Sequence, residues 1–193
     1  MTSIFFVTHP EVVIDPAVPV PRWPLSEKGR RRMGLFIEEA LAGRDVGAVW
    51  SSDEQKAVDG GAIVAESLGV AHEIDAELAE NDRSSTGYIA PPEFWEVVDQ
   101  FFARPDDSVR GWARARDEQE RIVRAVARLA TAGPAGRDVV VVSHGGVGRL
   151  LAAHLQSVAI GQEDMPQHPG GGCWLEIDRE TLAITRNWTS TSD

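Results

Sequence analysis

Along the chain, short apolar runs that stop at polar turns alternate with longer stretches whose apolar residues recur every three or four positions. Ile4-Phe5-Phe6-Val7 is the first such run; it ends at Thr8-His9-Pro10 and reads as a buried strand. Pro10, Pro16, Pro19, Pro21 and Pro24 follow. Proline lacks the donor that a helix or ladder needs, so this stretch is an extended surface loop. Ser26 then caps a helix whose inward face is Met33, Phe36, Ile37, Ala40 and Leu41, with Gly43 as its stop. Val46 to Trp50 is a second strand and Ser51-Ser52-Asp53 opens a second helix. Ala57, Gly61, Val64, Ala65 and Leu68 form that helix's buried face, and Gly69 closes it. Gly60-Gly61 in mid-helix costs about 1 kcal/mol per glycine relative to alanine. A close approach of helix and strand would explain the pair.

A third strand lies near Ala71 to Ile74. Residues 81–112 are less regular and carry Tyr88, Phe94, Trp95, Phe101, Phe102 and Trp112, which line a lid or, by the favoured reading, pack a satellite cluster under a long connection. Ala113 to Ala132 is an Arg-rich helix with Ile122, Val126 and Leu129 inward, ended by Gly133-Pro134. Val139 to Val142 is the most buried-looking strand, as at the centre of a parallel sheet, and it runs into Ser143-His144-Gly145-Gly146 and a helix through Leu150, Leu151 and Leu155. Cys173 to Ile177 and Leu182 to Trp188 form a closing pair of strands. This alternation predicts a three-layer α/β/α sandwich with a mostly parallel central sheet. No repeat or linker divides residues 1–193, so a single domain is expected, with 81–112 as a candidate cap or lid segment.

Composition narrows the partners. The 193 residues carry a formal net charge of −11. That balance argues against wrapping nucleic acid, whose binding rests on neutralising phosphates, and against docking on anionic membrane. A small anionic ligand in a local positive pocket stays compatible with it. Cys173 is alone, so neither an intrachain disulfide nor a cysteine-based zinc site is available. No apolar run approaches the ~18 residues of a membrane span, and the N-terminus has no basic region of a signal peptide. A cytoplasmic protein is expected. Oligomeric state is left open, a dimer included.

In open α/β sheets, ligands bind at the carboxyl ends of the strands. Two strands here end in histidine, Ile4–Val7 at Thr8-His9 and Val139–Val142 at Ser143-His144. Either imidazole alone is best explained as a satisfied loop or core residue; two at equivalent strand ends point to chemistry.

On these blocks the sequence resembles the histidine phosphatase superfamily, the phosphoglycerate mutase-like enzymes. The matching segments are Thr8-His9-Pro10-Glu11, Ser51-Ser52-Asp53-Glu54-Gln55-Lys56-Ala57, Leu78-Ala79-Glu80 and Val142-Ser143-His144-Gly145-Gly146. Pro24-Leu25-Ser26-Glu27-Lys28-Gly29-Arg30 is similar to the segment opening the family's first helix, so order and spacing agree over most of residues 1–155. The resemblance implies a phosphohistidine mechanism: His9 takes the phosphoryl group. His144 and the Gly145 amide stabilise its oxygens, and Glu80 gives and takes the proton. It also implies that no metal or cofactor is needed, because side-chain cations and dipoles supply the neutralisation.

The chain departs from that pattern at several positions. Thr8 and Lys56 stand where the family has arginines, and Pro10 stands where it has glycine. These changes remove a permanent charge, a bidentate fork and an amide donor. Asp15 lies about where some members carry asparagine and would repel phosphate unless turned away. Arg22, in the proline-rich loop, is a candidate to refill the corner left by Thr8, with an exposed loop arginine as the equal alternative. The expected phosphate contacts are therefore Thr8, Arg22, Lys56 and Gly145.

Glu77 and Asp82 are acidic rivals of Glu80. His154 is expected to be structural, His72 and His168 have no supporting motif, and Asp59 is expected to face solvent. Trp23 either stacks on a substrate or covers the loop. The arginines at 110, 114, 116, 121, 124 and 128 are interleaved with Asp117, Glu118 and Glu120, which suggests i,i+4 pairing on a solvated helix face. The leading reading is a metal-independent phosphatase acting on a small phosphorylated molecule. A phosphoglycerate mutase-type transfer uses the same residues but resembles longer chains. A catalytically degenerate phospho-ligand-binding protein is the alternative from another class.

Overall fold

The protein was described from a computed structural model covering residues 2–163, 168 and 171–191. Strands β1 (Ser3–Thr8), β2 (Val46–Ser51), β3 (Ala71–Ile74), β4 (Asp138–Ser143), β5 (Cys173–Asp178) and β6 (Ile184–Ser190) form one sheet in the order β3-β2-β4-β1-β5-β6. The first four are mutually parallel; β5 and β6 add an antiparallel edge. Helices α1 (Glu27–Ala40), α2 (Gln55–Leu68), α3 (Glu93–Ala103), α4 (Ala115–Ala132) and α5 (Gly145–Leu155) cover it.

Side chains of a strand alternate between faces, and the two cores follow from that period. Phe5, Val7, Val140 and Val142 share one buried cluster with Met33 and Phe36 of α1 and Val64 of α2. Ile4, Phe6, Val139 and Val141 share the other with Phe101 of α3, Ile122 and Leu129 of α4 and Leu150 of α5. The chain is thus the expected α/β/α sandwich. Among the described residues no helix is long and apolar enough to cross a membrane.

The glycine pair of α2 has a structural cause. A Cβ on Gly60 would sit 3.1 Å from Val142 Cγ1 on β4, and one on Gly61 would sit 2.4 Å from Nε2 of His72 on β3. The missing side chains let α2 lie flat on the sheet. The same approach gives His72 a neighbour, since its Nε2 is 2.8 Å from Ser51 Oγ.

Several expected details differ. The α2 N-cap position is Glu54, and neither serine nor Asp53 caps the helix; Ser51 and Ser52 turn instead to His72 and His144. The arginine-rich helix begins at Ala115, two residues later than the pattern suggests. Its charges do not make a uniform solvated face. Arg114 pairs with Asp117 at i,i+3, while Arg116 reaches Asp106 and Arg128 reaches Asp75. In the region 81–112, Phe101, Phe102 and Trp112 belong to the main core rather than to a satellite cluster, whereas Tyr88 and Trp95 are 38% and 59% exposed. The proline-rich loop contains a single 3-10 turn at Val20–Arg22 and is stapled by Trp23, whose indole N–H lies 2.9 Å from the Asp15 and Val18 carbonyls.

β1 and β4 pair with Thr8 opposite Ser143, and the His9 amide extends the ladder by donating to the Ser143 carbonyl at 2.9 Å. The residue after each strand therefore leaves the sheet beside the other. The far end is tied by charge: the Ser3 amide donates to Asp138 Oδ1 at 2.7 Å, and Arg44 bridges Asp138 and Glu176, each at 2.8 Å.

Candidate active site

The register brings His9 and His144 together. Their rings lie edge to face with centroids 5.1 Å apart. His9 is half-buried, and its Nδ1 donates to the Pro10 carbonyl at 2.8 Å. A neutral ring with its proton on Nδ1 carries its lone pair on Nε2, the form a nucleophile requires. Burial, then His144 and Lys56, lower the His9 pKa from 6.5 to about 3. The ring is therefore neutral across the physiological range.

His144 is fully buried at the mouth of α5. Its Nε2 lies 2.6 Å from Ser52 Oγ and 3.6 Å from Glu54 Oε1. Its Nδ1 is buried with no hydrogen-bond partner among the described residues. Burial lowers its pKa, against the opposing pull of Glu54 and Glu80.

Glu80 docks on the start of α5. Its carboxylate accepts from the amides of Gly146 and Val147, both at 3.0 Å, and from Asn81 at 3.1 Å. A Cβ on Gly146 would stand 2.5 Å from Glu80 Oε1, so glycine there makes the docking feasible. Arg83 adds an ion pair at 3.2 Å while its guanidinium lies over the rings of Phe94 and Trp112. Burial pushes the Glu80 carboxyl up, but Arg83, His144 and the Gly146 amide outweigh it, so its pKa lies below the usual range. Arg121 holds the segment from behind, donating to the carbonyls of Glu77, Ala79 and Glu80 at 2.7, 3.0 and 3.2 Å. The Gly145 amide precedes the first intrahelical bond and meets no acceptor among the described residues.

Lys56 is 4% exposed and donates to the Val20 carbonyl at 3.0 Å and to Glu54 Oε2 at 2.5 Å. Buried lysines are rare without such a partner. Oε1 of Glu54 accepts from the Glu80 amide at 3.0 Å. Burial pushes this carboxyl up, yet His144 and Lys56 hold it at about 2.

The structure thus joins His9, His144, Glu80, Lys56 and Gly145. Thr8 is turned away from them: its hydroxyl donates to the Cys173 carbonyl at 3.2 Å and accepts from the Cys173 amide at 3.0 Å. Both of its hydrogen-bonding roles are used inside the sheet, against the expectation of a phosphate contact there. Arg22 is exposed, two residues beyond the carbonyl that receives Lys56, and has no ion pair among the described residues. Asp15 is turned onto the Ala17 amide at 2.9 Å. Asp59 does not face solvent; it receives the Leu25 amide and Arg30, each at 3.0 Å. Of the acidic rivals, Glu77 faces Arg124 and Arg128, and Asp82 accepts from the Ser84 amide.

Sequence reasoning missed Glu54, Ser52, Arg83 and Arg121. Nothing in the sequence marked Glu54; the extended backbone at that residue (φ −75°, ψ 136°) is what lets a side chain just ahead of α2 turn back toward the strand ends.

Solved structures similar to the chain share its whole length at low identity. A mycobacterial glucosyl-3-phosphoglycerate phosphatase matches with 20% identity and a TM-score of 0.78, covering 100% of both chains. The YhfR protein of Bacillus stearothermophilus matches with 19% identity and a TM-score of 0.77, covering 100% of this chain and 98% of its own. A protein named mycobacterial hydrolase 2 gives 19% and 0.76, covering 100% and 92%. No curated protein sequence matches. The profile of the histidine phosphatase superfamily, branch 1, matches residues 19–189, beginning after the His9 block, so the place of His9 rests on the strand-end geometry. By that match over most of its length, the chain belongs to the histidine phosphatase superfamily.

Proposed function

We propose that the protein is a metal-independent phosphatase that hydrolyses a small phosphomonoester through a phosphohistidine on His9. The observation that carries this reading is the His9–His144 pair, with His9 Nδ1 fixed on the Pro10 carbonyl and Nε2 left as the nucleophile. Nε2 bonds to phosphorus as the ester oxygen leaves. His144, Lys56 and the Gly145 amide take up the charge on the phosphoryl oxygens. Arg22, exposed on the loop two residues beyond the carbonyl that receives Lys56, is the proposed loop-side contact to the ester.

Glu80 is ionised in the free protein, so the proton it gives to the leaving alkoxide arrives with the ester, whose negative charge raises the carboxyl. In the second half, water attacks phosphorus, Glu80 takes the water's proton, and the P–N bond breaks to release phosphate. His9 regains its lone pair and the cycle closes. The phosphatase named among the structural relatives supports this class of reaction. A small phosphorylated molecule in the cytoplasm is the partner this reading needs, with no role for nucleic acid or membrane.

The test is hydrolysis of a phosphomonoester panel by the wild type beside His9→Ala, both with chelator present. Turnover that survives chelation, vanishes in the variant and passes through an acid-labile, base-stable adduct is the expected result. A folded wild type with no turnover across the panel would move the reading to a phospho-ligand-binding protein.

A further inference from the structure

A phosphoryl group entering this site seeks an ammonium, an imidazole edge and backbone amides. A carboxylate of the protein already holds such a set. Glu54 is 8% exposed; it takes the Lys56 ammonium on Oε2 at 2.5 Å and the Glu80 amide on Oε1 at 3.0 Å, with His144 Nε2 3.6 Å away. Its own amide is fixed on Ser52 Oγ at 3.3 Å, the hydroxyl that also meets His144. The backbone therefore aims the carboxylate among the donors, and the buried lysine has this one carboxylate as its counter-charge among the described residues. Two anions at such separations repel strongly where water is scarce.

We infer that Glu54 is an internal occupant of the anion subsite and a specificity-determining residue, which weakens the hold on bare phosphate and leaves an ester to be held by its organic part as well. The inference rests on the phosphatase reading. Its consequence is a protein that releases inorganic phosphate readily, because the product must compete with a tethered carboxylate while the ester keeps further contacts. Lys56 and His144 stay assembled between turnovers, since Glu54 satisfies them when no ligand is bound.

The experiment measures binding of inorganic phosphate and vanadate by calorimetric titration, together with phosphate inhibition of ester hydrolysis. The wild type is expected to bind phosphate with a Kd of ~1 mM or weaker. Glu54→Gln, nearly the same shape without the charge, is expected to bind both anions at least about tenfold more tightly and to show stronger product inhibition. Asp53→Asn, which removes an equal charge from an exposed neighbour, is expected to change neither. In Glu54→Ala, formate is expected to compete with phosphate by filling the vacated place.

Micromolar phosphate binding by the wild type overturns the inference without recourse to a variant. So does equal binding by wild type and Glu54→Gln with turnover intact, and this leaves the phosphatase reading standing. A fall in kcat with unchanged anion affinity would make Glu54 a proton carrier and not an occupant. Failure of Glu54→Gln, as well as the wild type, to bind either anion overturns the inference together with the phosphatase reading.

Discussion

The ends of β1 and β4 each deliver a histidine to the same sheet edge, yet they hold it in opposite ways. After β1 the chain runs into a proline loop, and His9 is half-buried with one nitrogen pinned by the next residue's carbonyl. After β4 it runs into a helix, and His144 is fully buried among Ser52, Glu54 and the start of α5. One imidazole is presented, the other enclosed. On the proposed reading, a local carbonyl orients the nucleophile, whereas the charge-stabilising ring is held by the β2–α2 connection and the start of α5.

The sharpest break in this comparison is replacement of each ring. His9→Ala is expected to remove the covalent adduct and lower kcat by at least about 10³-fold, because no other group takes its part. His144→Ala is expected to cost about 10²–10³-fold while leaving slow adduct formation, as for loss of one charge-stabilising donor. Rapid-quench trapping of the labelled protein distinguishes the two; equal loss of adduct would erase the contrast.

The next effect falls on the enclosed end. Gly146→Ala places a Cβ against Glu80 Oε1 and is expected to push that carboxylate off the α5 amides. If Glu80 is the proton carrier as proposed, its alignment is worth orders of magnitude, and kcat should fall about 10- to 100-fold with KM within about threefold. Steady-state kinetics on any accepted ester reads this.

A pH effect on stability separates the presented ring from its surroundings. His9 has a folded pKa of about 3 against 6.5 for the free side chain. Between those values the unfolded chain binds a proton that the folded one refuses, so stability falls as pH drops through that window, by at most about 1.4 kcal/mol per pH unit for this group. Glu54, held at about 2 against 4.5, adds to the loss in acid: its stabilisation is full above 4.5 and disappears as pH falls toward 2. Urea unfolding from pH 7 to 4 should show a shallower slope in His9→Asn than in the wild type.

The smallest effect is expected at Pro10. The His9 ring is oriented by the carbonyl of that residue, which glycine also supplies. Pro10→Gly should keep turnover within about threefold and lower stability by about 0.4–1 kcal/mol through the unfolded chain.

Much of this was legible because apolar runs leave little choice. Val139 to Val142 reads as a central strand and is one, between β1 and β2. Ser26 reads as a helix cap and accepts from the Gly29 amide at 3.0 Å. The His9–His144 meeting followed from two matched strand ends. Side chains whose role depends on a distant partner were not legible. Glu54 looks like any solvated acid ahead of a helix until Lys56 and His144 are seen beside it. Arg121 looks like one more charge on a polar helix until the carbonyls of 77–80 are placed against it. Thr8 was not legible either: it stands beside His9 in the sequence, yet its hydroxyl closes on the Cys173 backbone of β5.

The ion cluster of Arg44, Asp138 and Glu176 lies at the amino ends of the strands, far from both histidines. Strand side chains alternate sides, so a slip of β1 by one residue against β4 would send its side chains to the opposite face. Apolar residues line both faces of these strands, and hydrophobicity alone would tolerate such a slip. The Ser3 amide on Asp138 does not, because the offset would take the amide off Oδ1 of a buried carboxylate and leave it to Arg44 alone. This remote charge cluster thus works as an alignment key, transmitting a choice made at one end of the sheet into the spacing of two rings at the other.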